Sequence, residues 1–333
     1  MRVFITGTAG FIGFHLAGLL LDEGHEVHGF DGMSDYYDVK LKQDRHALLR
    51  ARPGFTATEA RLEDMPALQE AVDACAPEVV VHLAAQAGVR YSIDNPRAYV
   101  DANLTGTFNL LEATLKHRPK HQLLASSSSV YGASPDQPYK ETHQTNRPLS
   151  FYAATKQANE AMGHAWAHIH NLPVSMFRFF TVYGPWGRPD MAPYKFTRGI
   201  LEGRAIDVYN HGKMWRDFTY VTDLVRGLRL LIDCPPGGEE TRVAGDSLSP
   251  EAPWRVLNIG NSQKVRLEDF ISAIEEATGK PAIRNYMEMQ PGDVPATWAD
   301  ASLMQTLTGY RPQTDVREGM KNFVAWYRDY YQV

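Results

Sequence analysis

The chain has two cysteines in 333 residues, Cys75 and Cys234, and neither has a second cysteine or a histidine at metal-ligand spacing. A disulfide scaffold and a zinc site are thereby excluded, no metal is expected, and a reducing, cytoplasmic setting fits best. No apolar run reaches the roughly 18 residues of a membrane span. No block of lysines or arginines occurs, and 34 basic against 39 acidic residues leave a net charge of −5. Such a surface offers nucleic acid or an anionic membrane no general attraction, so ligand recognition has to be local. Internal repeats and low-complexity tracts are also missing. The N-terminal MRVFITG reads directly as a core strand, with no charged leader or apolar signal core expected.

What is present is a rhythm. Short β-branched or apolar runs alternate with helical patterns: RVFIT then FIGFHLAGLLLDEG; EVHGF then a polar segment; PEVVVHLA then PRAYVDANLTGTFNLLEATLKH; HQLLAS then YAATKQANEAMGHAWAHIHN; then VSMFRFF. That order predicts βαβ units on a parallel sheet buried on both faces. The expected fold class is α/β: a Rossmann-type doubly wound parallel sheet in residues 1–180, with return segments around 222–233 and 255–262. Residues 181–333 are expected to form mainly a smaller, interleaved substrate domain. Pro235 to Pro253 reads as a surface excursion before the buried strand RVLNIGN, and VREGMKNFVAWYRDYYQ as a closing amphipathic helix.

Directly after the first strand, TGTAGFIG places Gly7, Gly10 and Gly13 at the start of a helix, with Phe11 and Ile12 between the last two. Glycines suit a turn whose backbone N–H groups must approach a pyrophosphate closely. The alternative is an ordinary glycine-rich turn. The second strand ends at Asp31, where a carboxylate would accept hydrogen bonds from the adenosine ribose and repel a 2′-phosphate, favouring NAD over NADP. Further on, Tyr152 and Lys156 stand one helical turn apart in SFYAATK. For tyrosine to act as a base near pH 7 its pKa must fall by about 3 units, and a neighbouring ammonium supplies part of the required field. LLASSSSVYG carries four serines to the end of a predicted strand, where α/β ligands bind.

Together TGTAGFIG, HLAAQAGVRYS, SSSSVYG and YAATK resemble the extended short-chain dehydrogenase/reductase family, the nucleotide-sugar epimerases and dehydratases. The resemblance covers nearly the whole chain. It implies NAD as cofactor, Gly7, Gly10 and Gly13 as the pyrophosphate loop, Asp31 on the ribose, and Tyr152 with Lys156 as the catalytic pair. Ser127 matches the hydroxyl that assists at the substrate. Asn103 matches an asparagine supporting the active site and is expected among the cofactor-binding residues, and His82 with Leu83, Ala84, Ala85 and Gln86 matches the strand end and loop beside the cofactor. Where relatives begin a D-L-x-D pattern this chain has Arg61, leaving Leu62 for the adenine. Arg216 matches a diphosphate ligand and Asp293 a uridine-ribose ligand, while Gln290 stands where many relatives have arginine. Asp217 is expected to be structural. Family members commonly dimerise through a helix pair that includes the helix of Tyr152, so a homodimer is expected.

Dehydratases of the family carry an Asp-Glu pair where this chain has Ser128 and Ser129, and decarboxylating relatives tend to have a glutamate at the second position. Neither serine can act as a carboxylate, which disfavours both reactions. FRFFTVYGPWGRPDMAP and SDYYDVKLK resemble UDP-glucuronate 4-epimerases, and Thr181 stands where UDP-glucose 4-epimerases have asparagine. The implied reaction is C4 epimerisation of a UDP-hexuronic acid through a 4-keto sugar. Ser128, Ser129, Thr181 and Arg188 would hold the carboxylate. For Arg188 the alternative is a loop arginine bonded to backbone carbonyls. Rival readings are a UDP-glucuronate decarboxylase, a UDP-glucose 4-epimerase and a non-catalytic NAD-sensing protein.

Overall fold

A computed structural model describes residues 1–290 and 292–333. Six strands follow in chain order: β1 (Arg2–Thr6), β2 (Glu26–Asp31), β3 (Phe55–Glu59), β4 (Val79–His82), β5 (His121–Ala125) and β6 (Val174–Phe179). With a late strand, Trp254–Ile259, they form one seven-stranded sheet in the order Trp254–Ile259, β6, β5, β4, β1, β2, β3. Every pairing is parallel. The fold is therefore the predicted Rossmann-type doubly wound sheet. The order reverses between β1 and β4, and a crevice opens at the carboxyl ends of the strands at such a reversal.

The strands form where β-branched and apolar residues run without alternation, as a sheet covered on both faces requires. Val79, Val80 and Val81 are all buried, and Val3 lies between Val27 and Val79 in register. On one face α1 (Phe11–Asp22) sets Leu16 and Leu20 against Leu224 and Leu228 of the helix Val221–Ile232. Leu303 and Met304, from the short helix Ser302–Thr308, join the same core. This last return to the sheet has no counterpart in the sequence reading, because seven residues carry too few apolar repeats to register. A separate cluster, including Tyr194, Ile206, Phe218, Phe270 and Phe323, forms the core of the remaining C-terminal part. The C-terminal helix Val316–Tyr331 buries Met320, Phe323, Val324 and Tyr327 along one stripe, as its pattern predicts.

Two local departures have physical reasons. The polar segment after β2 is the helix Val39–Arg50, started by Asp38, which accepts from Lys40 N at 2.9 Å. Its buried face carries Lys42, Arg45 and His46 beside Leu41 and Leu49, so hydrophobic periodicity hides it. In the 96–114 segment, a π-helical turn, Val100–Thr105, interrupts the α-helix around Asn103. Such insertions are frequent at functional sites. No helix among the described residues is long and apolar enough to cross a membrane.

The 235–253 excursion is anchored to the sheet. Asp246, whose side chain is fully buried, takes two hydrogen bonds from Arg255 of the edge strand, at 2.8 and 2.9 Å. Removing one partner of such a buried pair leaves an uncompensated charge, whereas replacing both need not destabilise. Asp246→Asn should therefore lower stability by about 3 to 5 kcal/mol in equilibrium urea unfolding, with the paired replacement by apolar residues costing much less.

Candidate active site

A cavity of about 570 Å³ opens along the carboxyl edge of the sheet and extends toward the C-terminal part. At its floor Gly7, Gly10, Phe11, Ile12 and Gly13 turn from β1 into α1. Gly7 has φ of +83°, and a Cβ on Gly13 would lie 2.1 Å from the Gly7 carbonyl oxygen. Only glycine permits that closeness, which holds the loop tight against the helix start. Gly10 at the N-cap makes no side-chain cap, so the first-turn N–H groups remain available to an anion. Asp31 also lines the cavity, its two oxygens accepting from Ala9 N and Met33 N, each at 2.9 Å. The carboxylate is thus tied to the glycine loop while retaining lone pairs for ribose hydroxyls.

Leu62 and Arg61 line this end, and the Arg61 side chain is 70% exposed, with Glu63 at 3.6 Å. A group missed by the sequence reading is Lys42, buried and also lining the cavity. Its ammonium donates to the Ser34 carbonyl at 2.6 Å and hydroxyl at 2.9 Å and lies 4.4 Å from the Tyr37 ring centroid. Burial lowers its pKa while the field of Asp31 raises it. No spacing rule singles this lysine out in SDYYDVKLK.

Leu83, Ala84, Ala85 and Gln86 line the cavity after β4, with Leu83 N and Ala84 N both donating to Thr6 Oγ1 at 3.1 Å. His82 and Asn103 lie behind this loop rather than along the cavity. His82 bridges Thr6 and Thr107 at 2.7 and 3.0 Å, and burial pushes its pKa down to about 3, keeping it neutral. The cofactor-contact role expected of Asn103 needs correction: its side chain is fully buried. Its amide accepts from Gln86 N at 2.8 Å and donates to the Gln86 carbonyl and to Thr155, each at 3.0 Å. It fixes the loop to the helix Phe151–His170.

That helix, capped by Ser150 on Ala153 N at 3.1 Å, presents Tyr152 and Lys156 to the cavity. Burial pushes the Tyr152 phenol up, while a hydrogen bond from Ser127 and the charge of Arg188 pull it down. Burial lowers Lys156 to about 8 against the opposing field of Glu160. The Lys156 ammonium donates to the Ala125 carbonyl at 2.8 Å. Ser127 is bonded to Ser129 through both its hydroxyl and the Ser129 N–H, each at 3.2 Å. Ser126 turns away onto Glu160.

Ser128, Ser129, Thr181, Arg188, Arg216 and Asp293 line the rest of the cavity. Their charges are already partnered. Arg188 donates to both oxygens of Asp190, at 3.0 and 2.5 Å, which raises its own pKa and holds the Asp190 carboxyl down against burial. The expected alternative of bonds to backbone carbonyls is not what occurs: Arg188 is held by a carboxylate two residues on, and its guanidinium still lines the cavity. Asp293 pairs with Arg90 at 3.0 Å, and Arg216 donates to the Trp215 carbonyl at 2.8 Å. Asp217 is structural: fully buried, it accepts from Asn261 N, Ser262 N and Ala299 N between 2.8 and 3.1 Å.

A glycine loop at the sheet reversal, an acid at the end of β2 and a Tyr-Lys pair facing serines define a dinucleotide-dependent α/β enzyme. The chain belongs to the extended short-chain dehydrogenase/reductase family: residues 4–323 match the family model described as GDP-mannose 4,6 dehydratase. It is 54% identical over 336 residues to a probable UDP-glucuronate 4-epimerase of Rhizobium meliloti, covering 100% of this chain and 98% of that one. It is 44% identical to UDP-glucuronate 4-epimerase 2 of Arabidopsis thaliana, covering 100% of this chain and 77% of that one. Its fold superposes with a TM-score of 0.88 on the crystal structure of a UDP-glucuronic acid 4-epimerase from Bacillus cereus in complex with UDP-glucuronic acid and NAD. The two are 31% identical, over 99% of this chain and 100% of that one.

The crowding at Gly13 has a direct consequence. Gly13→Ala must push Gly7 out of place, so dinucleotide affinity measured by calorimetry should fall at least about tenfold, equivalent to about 1.4 kcal/mol.

Proposed function

We propose that this protein catalyses NAD-dependent C4 epimerisation of a UDP-hexuronic acid, interconverting UDP-glucuronate and UDP-galacturonate through a 4-keto sugar. The observation that carries this reading is the convergence of Tyr152, Lys156 and a carboxylate-free serine turn on the cavity that also contains the glycine loop. Its similarity along the whole chain to UDP-glucuronate 4-epimerases supports the same substrate.

The residues fit NAD. The loop is shaped so that a Cβ at Gly13 would collide with the Gly7 carbonyl, and Asp31 keeps acceptor capacity beside it. Gly7, Gly10, Phe11, Ile12 and Gly13 would hold the pyrophosphate, Asp31 the adenosine ribose, Leu62 the adenine, and Leu83 to Gln86 the nicotinamide side. Bound NAD supplies a reversible hydride acceptor and a positive ring whose charge adds to the field on Tyr152. Tyr152 as phenolate accepts the O4 proton while C4 becomes a carbonyl. Once the sugar has presented its other face, Tyr152 returns the proton to O4. The Ser127 side chain lowers the Tyr152 pKa and thereby favours the phenolate. Lys156, with one N–H on Ala125, retains two donors for ribose hydroxyls.

We assign the sugar carboxylate to Ser128, Ser129 and Thr181, with the Arg188–Asp190 pair at its edge. Arg216 is assigned to the diphosphate and Asp293 to the uridine ribose, which requires Asp293 to share or exchange its bond to Arg90. The division into a Rossmann domain, residues 1–180, and an interleaved substrate domain is part of this proposal. It is supported by the late segments Val221–Ile232 and Trp254–Ile259 packing on the sheet. So is a cytoplasmic homodimer, supported by two free cysteines and by exposed Phe108 and Ile169 on neighbouring helices, 45% and 69% exposed.

Proton NMR of purified enzyme with UDP-glucuronate should show UDP-galacturonate without added NAD. A pentose product would overturn the epimerase reading in favour of decarboxylation. Tyr152→Phe should lower kcat by about 10² to 10⁴ with the fold intact by circular dichroism. Because burial holds Lys156 at about 8, its ammonium is present below that pH and lost above it. The free-enzyme profile of kcat/KM should accordingly fall as pH rises through about 8.

A further inference from the structure

The serine turn is held at both ends by one buried ion pair. Glu160 lies one helical turn beyond Lys156, is 6% exposed, and accepts the Ser126 hydroxyl at 2.5 Å. Arg178 of β6, 3% exposed, donates Nε to one oxygen of Glu160 at 2.9 Å and Nη2 to the other at 2.7 Å. Arg178 Nη1 donates to the Tyr131 hydroxyl at 2.9 Å, and that hydroxyl donates to Asn258 at 2.6 Å. Ser126 and Tyr131 bracket Ser127, Ser128 and Ser129. Lys156, on the same helix, pins the preceding carbonyl of Ala125.

We propose that Glu160 and Arg178 are positioning residues for the reaction: a buried clamp that fixes the serine turn against Tyr152 and so keeps the 4-keto sugar from losing its carboxylate. This rests on the UDP-hexuronate reading above. Stability is a poor reason for the pair, since apolar residues of similar volume would serve a core at least as well. What apolar residues lack is direction, and each ion here has a donor or acceptor spent on one end of the turn. The hazard is specific. In the 4-keto sugar the C5–C6 bond is β to the carbonyl. When it breaks, its electron pair enters the C4 carbonyl as an enolate, carbon dioxide leaves, and a proton from solvent adds at C5. That cleavage requires the bond to align with the carbonyl π system. Hydroxyls of Ser128 and Ser129 prevent alignment only if the turn itself cannot shift.

Glu160 also supplies negative charge near Lys156. The other groups facing that ammonium are His82 of β4 and the Ala125 carbonyl of β5, with Arg178 of β6 behind Glu160.

Two disrupting variants test the clamp, with Glu160→Asp as the conservative control. Ser126→Ala/Tyr131→Phe frees both ends of the turn and leaves the ion pair intact, so it folds even if Glu160→Gln does not. Each is compared with the parent by thermal unfolding, by kcat and KM with UDP-glucuronate, and by proton NMR of the products. Both folded variants should lose about ten- to a hundredfold in kcat, a displacement effect, with KM changed less than about threefold. A UDP-4-ketopentose, or the UDP-pentose formed when its C4 ketone is reduced by the hydride taken in the first step, should appear where the parent mixture has neither. Glu160→Gln should in addition move the alkaline limb of the kcat profile to lower pH, and Glu160→Asp should restore part of the rate. A folded Ser126→Ala/Tyr131→Phe enzyme with the parent's kcat and product mixture overturns the clamp. A parent enzyme that makes no UDP-galacturonate overturns the substrate reading instead.

Discussion

Parallel pairing brings the carboxyl ends of neighbouring strands to one edge, and that constraint assembles this site. The turn after β1 contributes the glycine loop, the end of β2 contributes Asp31, the turn after β4 contributes Leu83 to Gln86, β5 delivers the serines, and β6 leads to Thr181. None of these groups is near another in sequence, yet strands about 4.8 Å apart place successive ends within reach of one bound molecule. The helix Phe151–His170 packs along β6 and the strand Trp254–Ile259, and its N-terminal end adds Tyr152 and Lys156. The chemistry is therefore inherited from register. Val3 facing Val79, and Leu123 facing Ser175, matter to catalysis because they decide which residue leaves the sheet first.

Inside this crevice charge is managed by pairing. Lys156, Glu160, Arg178, Arg188 and Asp190 stand within or just behind the cavity, largely removed from solvent. An isolated ion there would neutralise or cost several kcal/mol. Glu160 and Arg178 satisfy one another. Arg188 and Asp190 do the same at the cavity wall. Lys156 is the exception, answered by a backbone carbonyl and a more distant carboxylate, and its depressed pKa follows. An ammonium held this loosely can offer its remaining N–H groups to a ligand, whereas a fully paired one could not.

The βαβ rhythm, the glycine loop and the Tyr-Lys spacing were legible because each is a short-range pattern that the backbone imposes. The strand RVFIT lies as read, and VSMFRFF overran β6 only by Phe180. What escaped reading was of two kinds. Polar residues on a buried helical face defeat a periodicity argument, which is why the helix bearing Lys42, Arg45 and His46 read only as a polar segment. Partnerships across long separations have no local signature. Arg188 with Asp190 spans only two residues, but Arg90 with Asp293 spans 203 and Asn103 with Thr155 spans 52. Asn103 shows the cost of reading a matched residue as a contact. Its identity suits the family pattern, yet its amide is consumed in holding Gln86.

The distribution of charge bears on how epimerisation, dehydration and decarboxylation are separated on one scaffold. In the reaction proposed here, loss of carbon dioxide moves negative charge from the sugar carboxylate to O4. A site that stabilises charge at O4 more than at C6 accelerates that loss; one with the opposite balance suppresses it. With Tyr152 and Lys156 at the O4 end, the balance must be restored at the other. Arg188 cannot do this alone, because Asp190 takes two of its N–H groups and offsets its field. The remaining stabilisation comes from hydroxyl dipoles, and dipoles act only when their direction is held. A serine turn fastened at Ser126 and Tyr131 meets that need, and it meets it without a carboxylate that could deliver a proton to the leaving hydroxyl of a dehydration.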